Sequence, residues 1–193
     1  MKTKTALRPF EYYVLLFFTI AFAGWLWEVV LYLFTEHAMI NRGVYRGPYL
    51  PIYGVGGLLL CLFLRSLRKR PVTVFLISML ICSMIEYLTS FFLEKRWGIR
   101  WWDYSRHFLN LQGRICLMGA IAFGLGGSLL ICLFLPMYEK LYDKLSGKWR
   151  IGVALVLLVI FGVDAAYSAI SPNVGYGISE KAQEGSESGG REN

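Results

Sequence analysis

Five apolar runs dominate this chain of 193 residues: about Glu11–Phe34, Leu50–Leu64, Pro71–Leu93, Ile115–Met137 and Arg150–Ile170. A helix needs about 20 apolar residues to cross a bilayer core at 1.5 Å rise per residue. Four of the runs reach that length. A soluble domain has no room to bury so many, and the mean hydropathy of +0.49 with 17% charged residues agrees with a membrane chain. The second run is the exception: its apolar core, Pro51 to Leu64, has the length of a re-entrant or tilted segment, with part of Val44–Tyr49 as its lead-in.

The expected fold is therefore all-α: a polytopic membrane helical bundle of about five transmembrane helices, with a partly re-entrant Gly/Pro-rich segment before the second. Residues 1–170 form one transmembrane domain. The tail 171–193, which ends EKAQEGSESGGREN, is polar and rich in Gly, Ser and Glu, a composition expected to be disordered. The start MKTKTALR, the apolar Tyr12–Ile20 and Ala21-Phe22-Ala23 together mimic a cleavable signal. The apolar run continues through Leu26–Phe34, so an uncleaved first helix is the simpler expectation.

The net charge of +7 does not point to nucleic acid, because the basic residues flank the spans. Lys2, Lys4 and Arg8, then Arg65, Arg68, Lys69 and Arg70, then Lys140, Lys144, Lys148 and Arg150 share one side if the spans alternate. The positive-inside rule makes that side cytoplasmic, placing the protein in the cell membrane with its N-terminus inside and its C-terminus outside. Cys61, Cys82, Cys116 and Cys132 lie singly in or beside apolar runs, and His37 and His107 stand alone. Neither a disulfide framework, a metal site nor a cofactor is expected.

Acids inside the spans give the first functional signal. A charge at the centre of a membrane helix costs about 2.5–3.5 kcal/mol on insertion scales, so it needs a partner. Glu28, Glu86 and Asp164 fall 17, 15 and 14 residues past the basic ends of their runs. At helical rise that is about 21–26 Å into a core about 30 Å thick. All three belong to the half facing the connections Asn41–Gly57 and Glu94–Arg114, which carry Arg42, Arg46, Arg96, Arg100, Arg106 and Arg114. Guanidinium groups suit buried carboxylates because they form paired charge-assisted hydrogen bonds.

The segment NRGVYRGPYLPIYGVGG breaks helical structure at the mouth of the second span, and such backbone survives at membrane depth only inside protein or beside water. A folded-in loop roofing a polar pocket is expected, with Glu28, Asn41, Arg42, Arg46, Tyr53, Glu86, Trp102, Asp103, Tyr104, Asn110 and Arg114 as candidate ligand-binding residues. Ala120, Gly124 and Ser128, with Gly126 and Gly127 beside them, give the fourth span a small-residue face suited to close packing within the chain.

The ordered set GWLWE, NRGVYRGPYLPIYGVGG, IEYLTSFFLE, WWDYS and NLQGRICL, spread over Gly24 to Pro136, resembles the bacterial integral-membrane family called putative ABC-transporter type IV, or CmpB-like. The resemblance implies a permease. The chain has no G-x-x-x-x-G-K-[ST] loop, since Ser146-Gly147-Lys148 lacks the upstream glycines, so ATP would be hydrolysed by a separate subunit. Its expected docking surface is Tyr138–Arg150 or Arg65–Arg70.

The residues themselves leave three functions open. One is a permease or solute-binding component for a polar or anionic small solute, completed by a homodimer or by that ATPase subunit. A second is a membrane enzyme acting on a lipid or lipid-linked substrate, with Glu28, Glu86 or Asp103 as acid or base; no catalytic motif identifies its residues. The third is a structural or regulatory protein whose polar cluster fixes helix register.

Overall fold

The computed structural model describes residues 8–35 and 37–174. Within them the chain is helical: α1 (Phe10–Thr35), α2 (Pro51–Leu64), α3 (Pro71–Trp97), α4 (Leu117–Leu129), α5 (Leu135–Lys144) and α6 (Gly147–Ile170). A π-helical turn, Leu130–Phe134, fuses α4 and α5 into a single rod spanning Leu117–Lys144. Pro136 explains the turn: its nitrogen carries no hydrogen and its ring crowds the carbonyl four residues back. The Leu135 N–H accordingly reaches the Leu130 carbonyl, one residue further than an α-helix allows.

Four of these rods, those over Phe10–Thr35, Pro71–Trp97, Leu117–Lys144 and Gly147–Ile170, are long and apolar enough to cross a membrane. Their outer faces are apolar and bare, with Leu80 72%, Met118 71% and Val163 68% exposed. Such faces belong against lipid chains. The protein is a multi-pass membrane helical bundle.

The second apolar segment is built differently from these four rods. Leu50, just before α2, donates its N–H to the Ala21 carbonyl at 3.0 Å. Ala21 lies 11 residues into α1, about 16 Å along its axis, so α2 starts near mid-membrane. Its 14 residues then run about 21 Å toward the basic end. There Arg65, the residue after α2, pairs with Glu139 at 2.6 Å, and the Tyr12 hydroxyl donates to the same carboxylate at 3.4 Å. Residues 41–50 run beside the second half of α1 as irregular backbone, from Asn41 on Trp25 to Leu50 on Ala21. The expected re-entrant segment is present, with coil leading into its short helix.

Two helix pairs form the bundle, α1 on α2 and α3 on α4, with α6 outside α1 and α2 bridging to α3. The core runs along this seam toward the basic end, through Leu16, Leu60, Leu64, Val74, Ile131 and Tyr142. Both pairs close through glycine. A Cβ on Gly57 would stand 2.7 Å from Ile20 Cδ1, and one on Gly127 2.2 Å from Ser78 Oγ. The small-residue face of α4 thus packs internally on α3, through Gly124 and Gly127.

Two boundaries differ from the sequence reading. The rod through α5 continues to Lys144, so the expected link Tyr138–Arg150 is mostly helix, and only Leu145 and Ser146 separate it from α6. Tyr138 and Tyr142 pack on Tyr12, which apolar-run counting missed because the rings alternate with Glu139, Lys140 and Asp143. At the other end, the polar tail was expected to begin at 171, yet Asn173 is tied in: its N–H donates to Val44 O at 2.9 Å and its amide to Asn41 O and Gly43 O. The rest of the tail lies outside the described residues.

The glycine seams predict a sharp contrast between neighbours. Gly127→Ala should lower stability in detergent by about 1–3 kcal/mol, the usual cost of overpacking. Gly126→Ala, where an added Cβ has nothing within 4 Å, should change it by less than about 1 kcal/mol. Thermal unfolding followed by tryptophan fluorescence compares the two.

Candidate functional site

The re-entrant segment is held by side chains that rise from the helices beside it. Asp164 of α6 accepts the Gly47 N–H at 2.9 Å, the Arg46 N–H at 3.2 Å, the Ser168 hydroxyl at 3.0 Å and the Tyr49 hydroxyl. One carboxylate thereby satisfies two backbone donors that helical structure would otherwise have used. Trp25 of α1 donates its indole N–H to Asn41 Oδ1 at 2.9 Å, and the Asn41 amide donates to Arg46 O at 2.9 Å. The tryptophan of GWLWE and the asparagine of NRGVYRG are thus halves of one hydrogen-bonded clasp.

Glu28 is reached from the far side of the same segment. The Tyr53 hydroxyl donates to Glu28 Oε1 at 2.6 Å, and Arg42 Nη1 stands 3.9 Å from Oε2. To get there the Tyr53 ring lies across Gly24, one turn below Glu28; a Cβ at Gly24 would be 2.3 Å from Tyr53 Cγ. That close approach explains the glycine. Arg42 also donates to the Tyr32 hydroxyl and to the Trp101 carbonyl, which joins the re-entrant segment to the second connection.

The second connection, residues 98–116, folds on itself. The Tyr104 N–H donates to Gly113 O at 2.7 Å, Leu111 bridges Ile115, and the Trp102 indole donates to Arg114 O at 3.0 Å. Gly113 has φ +67, and a Cβ there would be 2.2 Å from Asp103 Oδ1. Only glycine combines that backbone with that contact. Asp103 accepts from the Ser105 N–H and hydroxyl, while Asn110 donates to Ser105 O and His107 O and accepts from Gly113 N–H. These polar groups shape the loop, and the loop presents Tyr104 and Trp102 inward.

Tyr104 donates its hydroxyl to Glu86 Oε1 at 3.0 Å. Burial, helped by nearby carboxylate charge, pushes the Tyr104 phenol well above its ordinary range and keeps it a donor. Glu86 is itself 5% exposed, its Oε2 has no hydrogen-bond partner, and it makes no ion pair among the described residues. Arg114, the expected partner for an intramembrane acid, goes elsewhere: it donates to Glu94 Oε2 at 2.6 Å and Ser90 Oγ at 3.1 Å. Glu94, at the end of α3, also takes Arg100 at 3.0 Å.

Below this polar roof lies a cavity of about 870 Å³. Its roof is made by Glu28, Arg42, Tyr53, Glu86, Trp102 and Tyr104, and its walls by apolar residues of all the helices except α6, from Ile20, Ala23 and Leu60 to Ala122, Leu130 and Met137. The π turn forms part of the wall. Trp27 on α1 and Leu125, Leu129 and Met137 on the opposite rod all line the cavity and are all mainly exposed. The cavity therefore opens sideways between α1 and the α4–α5 rod, where lipid chains would lie.

Of the eleven candidate residues, six share this cavity. Asn41 and Arg46 hold the re-entrant segment, and Asp103, Asn110 and Arg114 hold the second connection, outside the cavity. Asp164, expected in the same leaflet, meets the other face of the re-entrant segment. The long apolar wall carried no chemical signal in the sequence; a wall residue such as Leu129 reads like any lipid-facing leucine. Cys116 carried none either, although its Sγ accepts the Gly119 N–H at 3.4 Å and caps α4.

Four long apolar rods and a broken second segment define a multi-pass integral membrane protein. The chain belongs to the family described as putative ABC-transporter type IV, whose model matches residues 15–169. No curated protein and no solved structure matches it. Membership fits a membrane transport component.

If Asp164 secures the re-entrant backbone, Asp164→Ala leaves two backbone donors and a phenol unpaired, a cost of about 3 kcal/mol or more. Hydrogen exchange at residues 41–50 should then accelerate by at least tenfold. Exchange at Arg65–Leu67, beside the distant Glu139 clasp, should stay unchanged.

Proposed function

We propose that this protein is the membrane-embedded, ligand-binding component of a transport system, and that its ligand is an amphipathic molecule taken from the bilayer through the lateral opening. The observation that carries this reading is the shape and chemistry of one cavity: a roof of charged and phenolic groups over a long apolar chamber open to lipid. Its volume lies in the range of small-molecule sites, about 300–1,000 Å³. An apolar chain would occupy the chamber, and a polar head would meet Glu28, Arg42, Glu86 and Tyr104.

Energy for movement comes, in this reading, from a separate ATP-hydrolysing subunit, since the chain has no phosphate-cradling loop. The basic end is its docking side. Arg68, Lys69, Arg70, Lys140, Lys144 and Lys148 cluster there, and Leu141 and Trp149 are exposed among them. In this reading the positive-inside rule supports a cytoplasmic N-terminus, with the roof toward the outer side. A second copy of the chain could complete the path, facing the lateral opening.

A brominated dodecyl maltoside, added to protein in lipid nanodiscs, tests the chamber, because bromine quenches tryptophan on contact. Wild type should show a saturable quenching component from Trp27 and Trp102. The double variant Ala122→Leu/Gly126→Phe, which fills the chamber, should lose it with little change in thermal stability. Quenching that never saturates in wild type, or that survives the filled chamber, would contradict the proposal.

A further inference from the structure

Few of the arginines that suggested an anion site reach the roof of the cavity. Four of the six arginines in the two connections are engaged away from the cavity: Arg114 and Arg100 by Glu94, Arg46 by Ser171 and the Tyr167 ring, Arg96 by the Trp97 ring. Arg106 is exposed on the surface of the second connection and does not line the cavity. Of these six, Arg42 alone lines the cavity, with Nη1 on Tyr32 and 3.9 Å from Glu28 Oε2, and Nη2 on the Trp101 carbonyl. Against its one charge stand two carboxylates, Glu28 and Glu86.

Glu86 decides the sign. It lines the cavity, is only 5% exposed, and holds one oxygen on Tyr104 while the other has no partner. A buried carboxyl without a cation either holds a proton or bears an uncompensated charge, and a ligand that brings an ammonium stabilises its charged form. Tyr53, Trp102 and Tyr104, with Trp27 at the rim, line the same cavity, and aromatic rings attract ammonium groups.

Resting on the proposed amphiphile site, we infer that the head group it selects is cationic: an ammonium that binds Glu86, with Glu28 completing the negative face. Arg42 Nε is the second unpartnered atom of the roof, a donor. A head that carries an acceptor beside its ammonium satisfies both. Two sources share this chemistry, an aminophospholipid of the bilayer and a single-chain amine.

Three probes with one chain length separate the head from the chain: dodecylammonium, dodecanol and dodecanoate, each competed against the brominated dodecyl maltoside in nanodiscs of digalactosyldiacylglycerol, a neutral lipid without an ammonium, with empty discs as blank. Dodecylammonium should bind at least tenfold more tightly than dodecanol, and dodecanoate most weakly. Glu86→Gln should remove most of that preference and leave dodecanol unchanged. Should Glu86→Gln not fold, the wild-type ranking and Glu28→Gln, with a smaller loss of preference, carry the same test.

Equal binding of dodecylammonium and dodecanol, or tighter binding of dodecanoate, overturns the cationic head while leaving the amphiphile site intact. Failure of all three to compete, with no saturable quenching by the maltoside, overturns the site itself. Phosphatidylethanolamine in the disc that displaces dodecylammonium assigns the head to a resident lipid. Lack of displacement assigns it to a single-chain amine, and both results support the inference.

Discussion

Irregular backbone can lie at membrane depth only if its polar groups find partners inside the protein, because lipid offers none. In this bundle the condition is met at a few points: Asp164 takes the N–H groups of Arg46 and Gly47, the Ala21 carbonyl takes that of Leu50, and the Val44 carbonyl takes that of Asn173. Without them the segment 41–50 would be expelled toward water. With them it stays at depth, and Tyr53 and Arg42 are delivered to Glu28. The roof of the cavity is a consequence of satisfying a broken crossing.

The same arrangement shows why a charged residue in a membrane helix need not mean a binding site. Asp164 and Glu86 occupy comparable depths on different helices, yet every oxygen of Asp164 is engaged by protein donors, whereas one oxygen of Glu86 has none. Asp164 serves the fold. Glu86, with one oxygen unpartnered among the described residues, is the group the proposed ligand would meet.

Much of this was legible in the sequence because charge and helix-breaking residues are conspicuous in an apolar chain. The depth of Glu28, Glu86 and Asp164 followed from 1.5 Å per residue, and the Gly/Pro spacing of NRGVYRGPYLPIYGVGG marked the broken crossing. Pairing was less legible. Which arginine meets which acid depends on a few ångströms of loop geometry, and Arg114 turned back onto Glu94, itself at the edge of the apolar run, instead of going inward to Glu86. The chamber wall was invisible, since lining and lipid-facing leucines have the same chemistry and differ only in what lies opposite them. The tyrosine packing that holds α5 on α1 escaped notice because its rings alternate with charges.

The register of the broken crossing is the claim on which roof and cavity both stand, and disulfide trapping reads it directly. In a background free of the four native cysteines, with a protease site placed between residues 36 and 40, Leu50→Cys should cross-link to Ala21→Cys under mild oxidation in membranes. It should not cross-link to Phe34→Cys, which lies about 20 Å further along α1. A bridge from position 50 to position 34, and none to position 21, would lift the segment out of the membrane, and the cavity would lose its roof.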